Sequence, residues 1–241
     1  FGIQNMTREG YSVGSIFAVQ TDGVNPDNGN RIFINRNDER VQYDALNRSF
    51  SYLDGSVAPQ IDNYGDGRIL GNSLPSYYGG INSNMYYKNF DLLIGIIFSG
   101  GNKLHNGTRA TLSDQRYFNN GTFILDRWTA PGQITDVPKV VWGDSFSNGF
   151  SSSISSNVED GSFAKLKNVA IGYQVPLKEN FARHHISSLR IYAQATNLFT
   201  ITRYTGSDPE ISINGNSINS GKDQNVPANA QVFSAGINIG F

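Results

Sequence analysis

The residues of this chain that could do chemistry are few and scattered. Asp62, Asp66 and Gly67 occupy the first, fifth and sixth positions of D-N-Y-G-D-G-R-I, a spacing that would wrap a hard cation such as Ca2+. Position three is Tyr64, not an acid or amide, and position twelve is Ser73, not a bidentate glutamate. A polar turn between strands uses the same residue types, and the missing ligands favour it. Asp62 and Asp66 are therefore the candidate ligands should Ca2+ bind, and no other cofactor is expected. Gly10-Tyr11-Ser12-Val13-Gly14 fits the G-x-S-x-G nucleophile elbow. That motif needs a strand-to-helix turn with a downstream Asp and His, and no helical pattern follows Ser12. His105, His184 and His185 fall in a loop or near a turn, with no carboxylate or cysteine cluster around them. Asn5, Asn47, Asn106 and Asn120 fit the glycosylation sequon, as expected by chance in an Asn-rich chain. No covalent chemistry is expected.

Four aromatics could contact a substrate. Tyr117, Phe118, Trp128 and Trp142 lie in a long turn-rich stretch, 100–162, where they could stack on a sugar ring or a peptide. A large ordered loop also needs a core of its own, so packing within the loop or against a partner lid is the favoured reading.

The elements that must carry these residues are strands. The chain has 241 residues, a net charge of −1 and 16% charged residues, against 12% aromatics. Near-neutrality removes the electrostatic case for nucleic acid. Cysteine is absent, which excludes disulfides and thiolate metal sites. No run of about eighteen apolar residues exists, so no helix is expected to cross a membrane; barrel strands give a far weaker signal.

The strongest period-two pattern is 230–241, A-Q-V-F-S-A-G-I-N-I-G-F. Phe233, Ala235, Ile237, Ile239 and Phe241 share one face; Ser234, Gly236, Asn238 and Gly240 share the other. A strand of about ten residues, apolar on one side, is the length a transmembrane barrel uses. The same alternation marks 77–87 and 90–99, joined at Lys88-Asn89 as a hairpin, then 165–175, ended by Pro176, and a strand from Leu189 toward Arg203. Loops of 100–162 and 204–229 alternate with shorter connections, the pattern of outer-membrane barrels, although 176–187 is longer than an ideal periplasmic turn. Within 1–75, the segments 11–20 and 31–35 are candidate strands and the rest reads as loop. Two regions are thus expected: 1–75, irregular strands and extracellular loop, and 76–241, barrel hairpins. Five strands cannot close a membrane barrel, so most of it must lie on other sequence. Phe1 opens the chain without a signal peptide, from processing or because the chain is a fragment. A β-sandwich that binds glycans, soluble or surface-anchored, is the alternative, and a passive porin is a rival within the barrel reading.

The chain resembles the C-terminal part of SusC/RagA-type TonB-dependent outer-membrane transporters. The motifs that carry the resemblance are G-Y-S-V-G-S-I-F-A-V-Q-T-D-G-V (10–24), I-D-N-Y-G-D-G-R-I-L-G-N-S-L-P (61–75), Y-K-N-F-D-L (87–92), F-A-K-L-K-N-V-A-I-G-Y-Q-V-P (163–176), N-L-F-T (197–200), Y-T-G-S-D-P-E (204–210) and the terminal G-I-N-I-G-F, in the family's order. Each motif is weak alone and their order is specific. Ala18, Gln20 and Tyr64 depart from the family pattern, the last of these against metal binding. The resemblance implies an all-β fold, the C-terminal antiparallel strands of a barrel of about 22 strands with long extracellular loops. It implies a bacterial outer-membrane nutrient importer for glycans or peptides. Its partners would be an upstream plug and remaining strands, a SusD-type surface lipoprotein, TonB acting through the upstream segment, and the barrel-assembly machinery. Gly236, Ile239 and Phe241 resemble the signal that this machinery reads.

Overall fold

The computed structural model describes residues 5–116, 119–177, 186–210 and 220–241. In chain order its strands are β1 (Asn5–Met6), β2 (Ser15–Val19), β3 (Thr21–Val24), β4 (Arg31–Ile34), β5 (Arg40–Asp44), β6 (Ser49–Tyr52), β7 (Gly67–Asn72), β8 (Tyr77–Tyr87), β9 (Phe90–Gly100), β10 (Lys103–Asn106), β11 (Val158–Asp160), β12 (Phe163–Gln174), β13 (Ser188–Thr202), β14 (Lys222–Asp223) and β15 (Val232–Gly240). One short helix, α1 (Gly107–Leu112), follows β10. Two compact units interleave along the chain. Unit 1 takes Phe1–Leu74, Asn102–Asp160 and Tyr204–Pro227; unit 2 takes Pro75–Gly101, Gly161–Arg203 and Ala228–Phe241.

Unit 2 is a single antiparallel sheet in the order β15-β13-β12-β9-β8. Its strands run 11, 11, 12, 15 and 9 residues in chain order. A globular strand is usually about five or six residues. The hairpin turns at Lys88, whose positive φ of 53° the two-residue connection requires. The registers leave one choice of ends. Tyr77 faces Gly100, Phe163 faces both Ser99 and Thr202, and Val232 faces Thr196. Every excursion into unit 1 therefore leaves from, or returns to, the same end of the sheet.

Unit 1 is built from strands of two to six residues in three small sheets, β1-β2-β7, β11-β10-β14 and the meander β3-β4-β5-β6. The meander's turns open on short acids and amides that accept from the backbone two residues on: Asn25 from Asp27, Asn35 from Asn37, Asp44 from Leu46 and Asp54 from Ser56. Val19, Phe33, Val41, Ala58, Ile61 and Ile154 form the buried core. Phe146 docks there, 5.1 Å from Phe33, 5.0 Å from Tyr43 and 5.6 Å from Phe50 between ring centroids. The 100–162 stretch thus folds onto the first strands through its own aromatic. The 204–210 motif is likewise a tether. The buried Tyr204 hydroxyl donates to Asp223 at 2.6 Å, and Thr205 donates twice to Glu159.

The sequence pattern needs correcting in unit 1. The candidate strand 11–20 shrinks to Ser15–Val19, because Gly10 and Gly14 at φ 82° and 76° turn the chain before it. β1, β3, β5, β6 and β7 form where loop was expected. They are too short to show alternation, and β2 pairs β7 from some fifty residues away. The 100–162 stretch also contains β10, α1 and β11. In unit 2 the strand expected from 165 starts at Phe163.

His105 on β10 is 2% exposed, and neither ring nitrogen has a partner. Burial, helped by the nearby Lys222 ammonium, lowers its pKa to about 4. The unfolded imidazole titrates near 6.5. The folded value is the lower, so the stability it contributes is present above pH 6.5 and is lost as pH falls toward 4. The loss approaches roughly 3 kcal/mol. Hydrogen exchange of unit 1 should accelerate across that window, and His105→Leu should flatten the response. Phe33→Ala, which empties the centre of the core, should destabilise unit 1 by about 3–5 kcal/mol in the same measurement.

Candidate functional site

The sheet of unit 2 is chemically two-sided. Residues paired across strands share a face. Following the registers from β8 to β15, one face carries Met85, Leu92, Ile171, Ala193 and Ala235 in one row, and Tyr87, Phe90, Tyr173, Ile191 and Ile237 in the row nearer the short turn. The Phe90 and Tyr173 rings meet there at 4.7 Å. Ile81, Met85, Ile96, Ile171, Phe199, Phe233 and Ile237 on this face are exposed. Their extent exceeds the scattered apolar groups of an ordinary soluble surface, so the face requires an apolar neighbour.

The opposite face is polar. It carries Asn82, Asn84, Asp91, Asn168, Gln194, Thr196, Ser234 and Asn238. Arg190 on β13 reaches across β12 and makes a two-pronged ion pair with Asp91 on β9, Nε to Oδ1 at 2.9 Å. The strand between them offers Gly172, where any Cβ would collide with both partners. One strand further, the Tyr192 ring covers Gly236, whose Cβ would lie 2.6 Å from the tyrosine oxygen. Gly236, a candidate assembly-signal residue, thus makes room for Tyr192. Ile239 pairs with Leu189 on the apolar face, and Phe241 follows the end of β15, exposed.

Between Leu166 and Asn168 the ladder gains one residue on β12 relative to β9 and another on β13 relative to β12. Asn197 takes the bulge at φ 55°, a conformation asparagine tolerates better than most residues, and its side chain donates to Ala230 O at 2.9 Å. The N-L-F-T motif is therefore a bulge that also fixes the approach to β15.

The other candidates separate. The Trp128 indole donates to Pro26 O at 2.8 Å and lies over Gly29 at φ 74°. It packs unit 1 internally. Trp142 is 84% exposed beside a cavity of about 310 Å³ lined by Tyr43, Arg48, Arg116 and Phe146. Tyr117, Phe118, His184 and His185 lie outside the described residues. Asp66 accepts from Asp62 N at 2.7 Å and from Arg36 N at 2.8 Å, with the Arg36 guanidinium beside it. Asp62 accepts from Gly65 N at 2.8 Å. The carboxylates close their own turn, Arg36 supplies the positive charge, and no group of three or more metal-ligating side chains converges among the described residues. This donor set does not fit Ca2+. Ser12 leads into β2 rather than a helix, so it is not an elbow nucleophile.

The period-two phase of 90–99 and of the strand from Leu189 puts Asp91 and Arg190 opposite the apolar rows but cannot pair them. The pairing needs the strand order, which puts Gly172 between them.

No family model matches the chain. It is 28% identical to "TonB-dependent receptor P3" of Formosa agariphila over 97% of its own length and 23% of that protein's. It is 26% identical to "TonB-dependent receptor SusC" of Bacteroides thetaiotaomicron over 67% of its length and 15% of the relative's. Among solved structures, the RagAB peptide importer in its closed-closed state aligns with a TM-score of 0.69 at 23% identity, covering 99% of this chain and 25% of the other. A second RagAB peptide transporter structure gives 0.68 over 94% of the chain. The chain thus resembles SusC/RagA-type receptors in sequence and shares the fold of a β-barrel transporter segment, and it spans about a quarter or less of those proteins. The sandwich alternative is not favoured.

Gly172→Ala should wedge the Asp91–Arg190 pair apart and cost about 1–3 kcal/mol. Thermal unfolding of the complete protein, followed by gel migration of heated and unheated samples, should show an earlier midpoint. Asp91→Ala alone and the double variant should melt alike if the pair is what the glycine protects.

Proposed function

We propose that this chain is a wall-and-loop segment of a TonB-dependent outer-membrane nutrient importer. The observation that carries the reading is the apolar face kept in phase across five register-locked strands of transmembrane length, with every long excursion at one end. In this reading the apolar face meets lipid and the polar face with Asp91 and Arg190 lines the lumen. β8 and β15 are edges without partners among the described residues. Hydrocarbon does not tolerate such edges, so further strands of the same transporter close the barrel.

TonB-dependent receptors are outer-membrane proteins in general, which supports that location and an importer over a passive porin. The segment would catalyse no covalent reaction. A surface lipoprotein of the SusD type would close over the loops, with exposed Trp142 and its cavity facing the substrate or that lid. TonB would act on a plug carried outside this segment, and the barrel-assembly machinery would engage β15 around Gly236, Ile239 and Phe241.

The test is lipid contact. In the complete receptor reconstituted in vesicles, a single fluorophore on cysteine at position 171 or 237 should be quenched by brominated acyl chains. A fluorophore at 194 or 234 should not. Equal quenching on both faces would sink the reading.

A further inference from the structure

Unit 1 contains a polar cavity of about 340 Å³ with two arginines in its wall. This lies near the lower end of small-molecule sites, room for one ring-sized group rather than a chain. Arg31 on β4 is 3% exposed. Its Nε donates to Ser147 O at 2.9 Å and its Nη1 reaches Gly23 O only at 3.5 Å. Among the described contacts its guanidinium has no carboxylate partner and its Nη2 edge no acceptor. Arg109 on α1 lays its guanidinium over the Phe123 ring at 4.4 Å and likewise has no carboxylate partner. Burial lowers the pKa of Arg31 to about 10; the carboxylates of Asp136 and Asp144 oppose that shift and the neighbouring Arg109 adds to it. At neutral pH Arg31 stays charged. Asp136 and Asp144 attract Arg31 from beyond ion-pair distance, and an anion entering the cavity would give this buried cation the direct contact that the described residues do not.

The rest of the wall says what else the anion should carry. Ser113, Asn148 and Asn157 are buried in the lining, Thr21 and Ser155 are half-buried, and Asp136 and Ser156 are exposed at the mouth. The hydroxyls and amides match a ligand rich in hydroxyl groups. Asp136, which attracts Arg31 from beyond ion-pair distance, can accept from a ligand hydroxyl, leaving an acid group to the guanidinium donors.

We propose that this cavity is a subsite for one acidic sugar unit, its carboxylate held by Arg31 and Arg109 and its hydroxyls by the amide and hydroxyl lining. Guanidinium forks suit carboxylates because two parallel N–H donors match two oxygens. The proposal rests on the importer reading for its purpose, since it names a substrate class for the outer loops. The binding itself can be measured without transport.

The experiment is calorimetric titration of the complete purified receptor with digalacturonate, with neutral digalactose, with a glutamyl-glutamate dipeptide and with inorganic sulfate. Digalacturonate should bind at least tenfold more tightly than the other three. Arg109→Gln should weaken it by tenfold or more while leaving the lipid-contact pattern of the strands unchanged, and Arg109→Lys should recover only part. Arg31→Gln offers the same loss where that variant folds, and Arg109, half-buried on a short helix, keeps the test independent of it. Equal binding of digalacturonate by the wild type and Arg109→Gln would overturn the proposal. So would tighter binding of the dipeptide, or sulfate competing as well as the uronate. If the uronate fails while the fluorophore pattern holds, this subsite alone is lost; if the pattern fails, the importer reading is lost.

Discussion

A peptide group placed in hydrocarbon has no water to bond, so a sheet there must pair every backbone donor and acceptor with another strand. Register is the quantity that this pairing fixes. A slip of one residue between any two of β8, β9, β12, β13 and β15 would turn all apolar side chains of one strand to the polar side. The chain spends its unusual backbone positions on holding that register. Lys88 closes the hairpin at φ 53°, and Asn197 absorbs the extra residue at φ 55°. Asn197 then bonds to Ala230, so the strand carrying the bulge also sets the start of its neighbour.

Side chains on the polar face reinforce the same order. Arg190 can meet Asp91 only because Gly172 leaves the intervening strand bare, and Tyr192 can lie flat only because Gly236 does the same on β15. In each case a glycine lowers the β propensity of its own strand and in return lets a longer side chain bridge two ladders. The cost at one position is offset by contact across three strands.

The long strands were legible because a buried or lipid-facing row needs period two over ten residues, and few other structures produce that pattern. Their ends were legible to within two residues for the same reason. Unit 1 was not. Its strands are short, several pair with segments far away in sequence, and its core uses aromatics such as Phe33 and Phe146 that carry no periodicity. Trp128 and Trp142 stood out equally in sequence, yet the first packs over Gly29 and the second stands in solvent. Only the glycine's left-handed turn separates them. Arg31 left no sequence signal, because one arginine in a short strand ordinarily points outward.

The chain passes between its two units five times, always at the same end of the sheet, through the junctions Leu74–Pro75, Gly101–Asn102, Asp160–Gly161, Arg203–Tyr204 and Pro227–Ala228. Unit 1 would be exchanged between relatives as a whole, with all three of its segments travelling together. Their aromatic core and the Tyr204–Asp223 tether would not survive partial replacement. Recombination in such a gene would be expected to respect blocks that are discontinuous in sequence and contiguous in space.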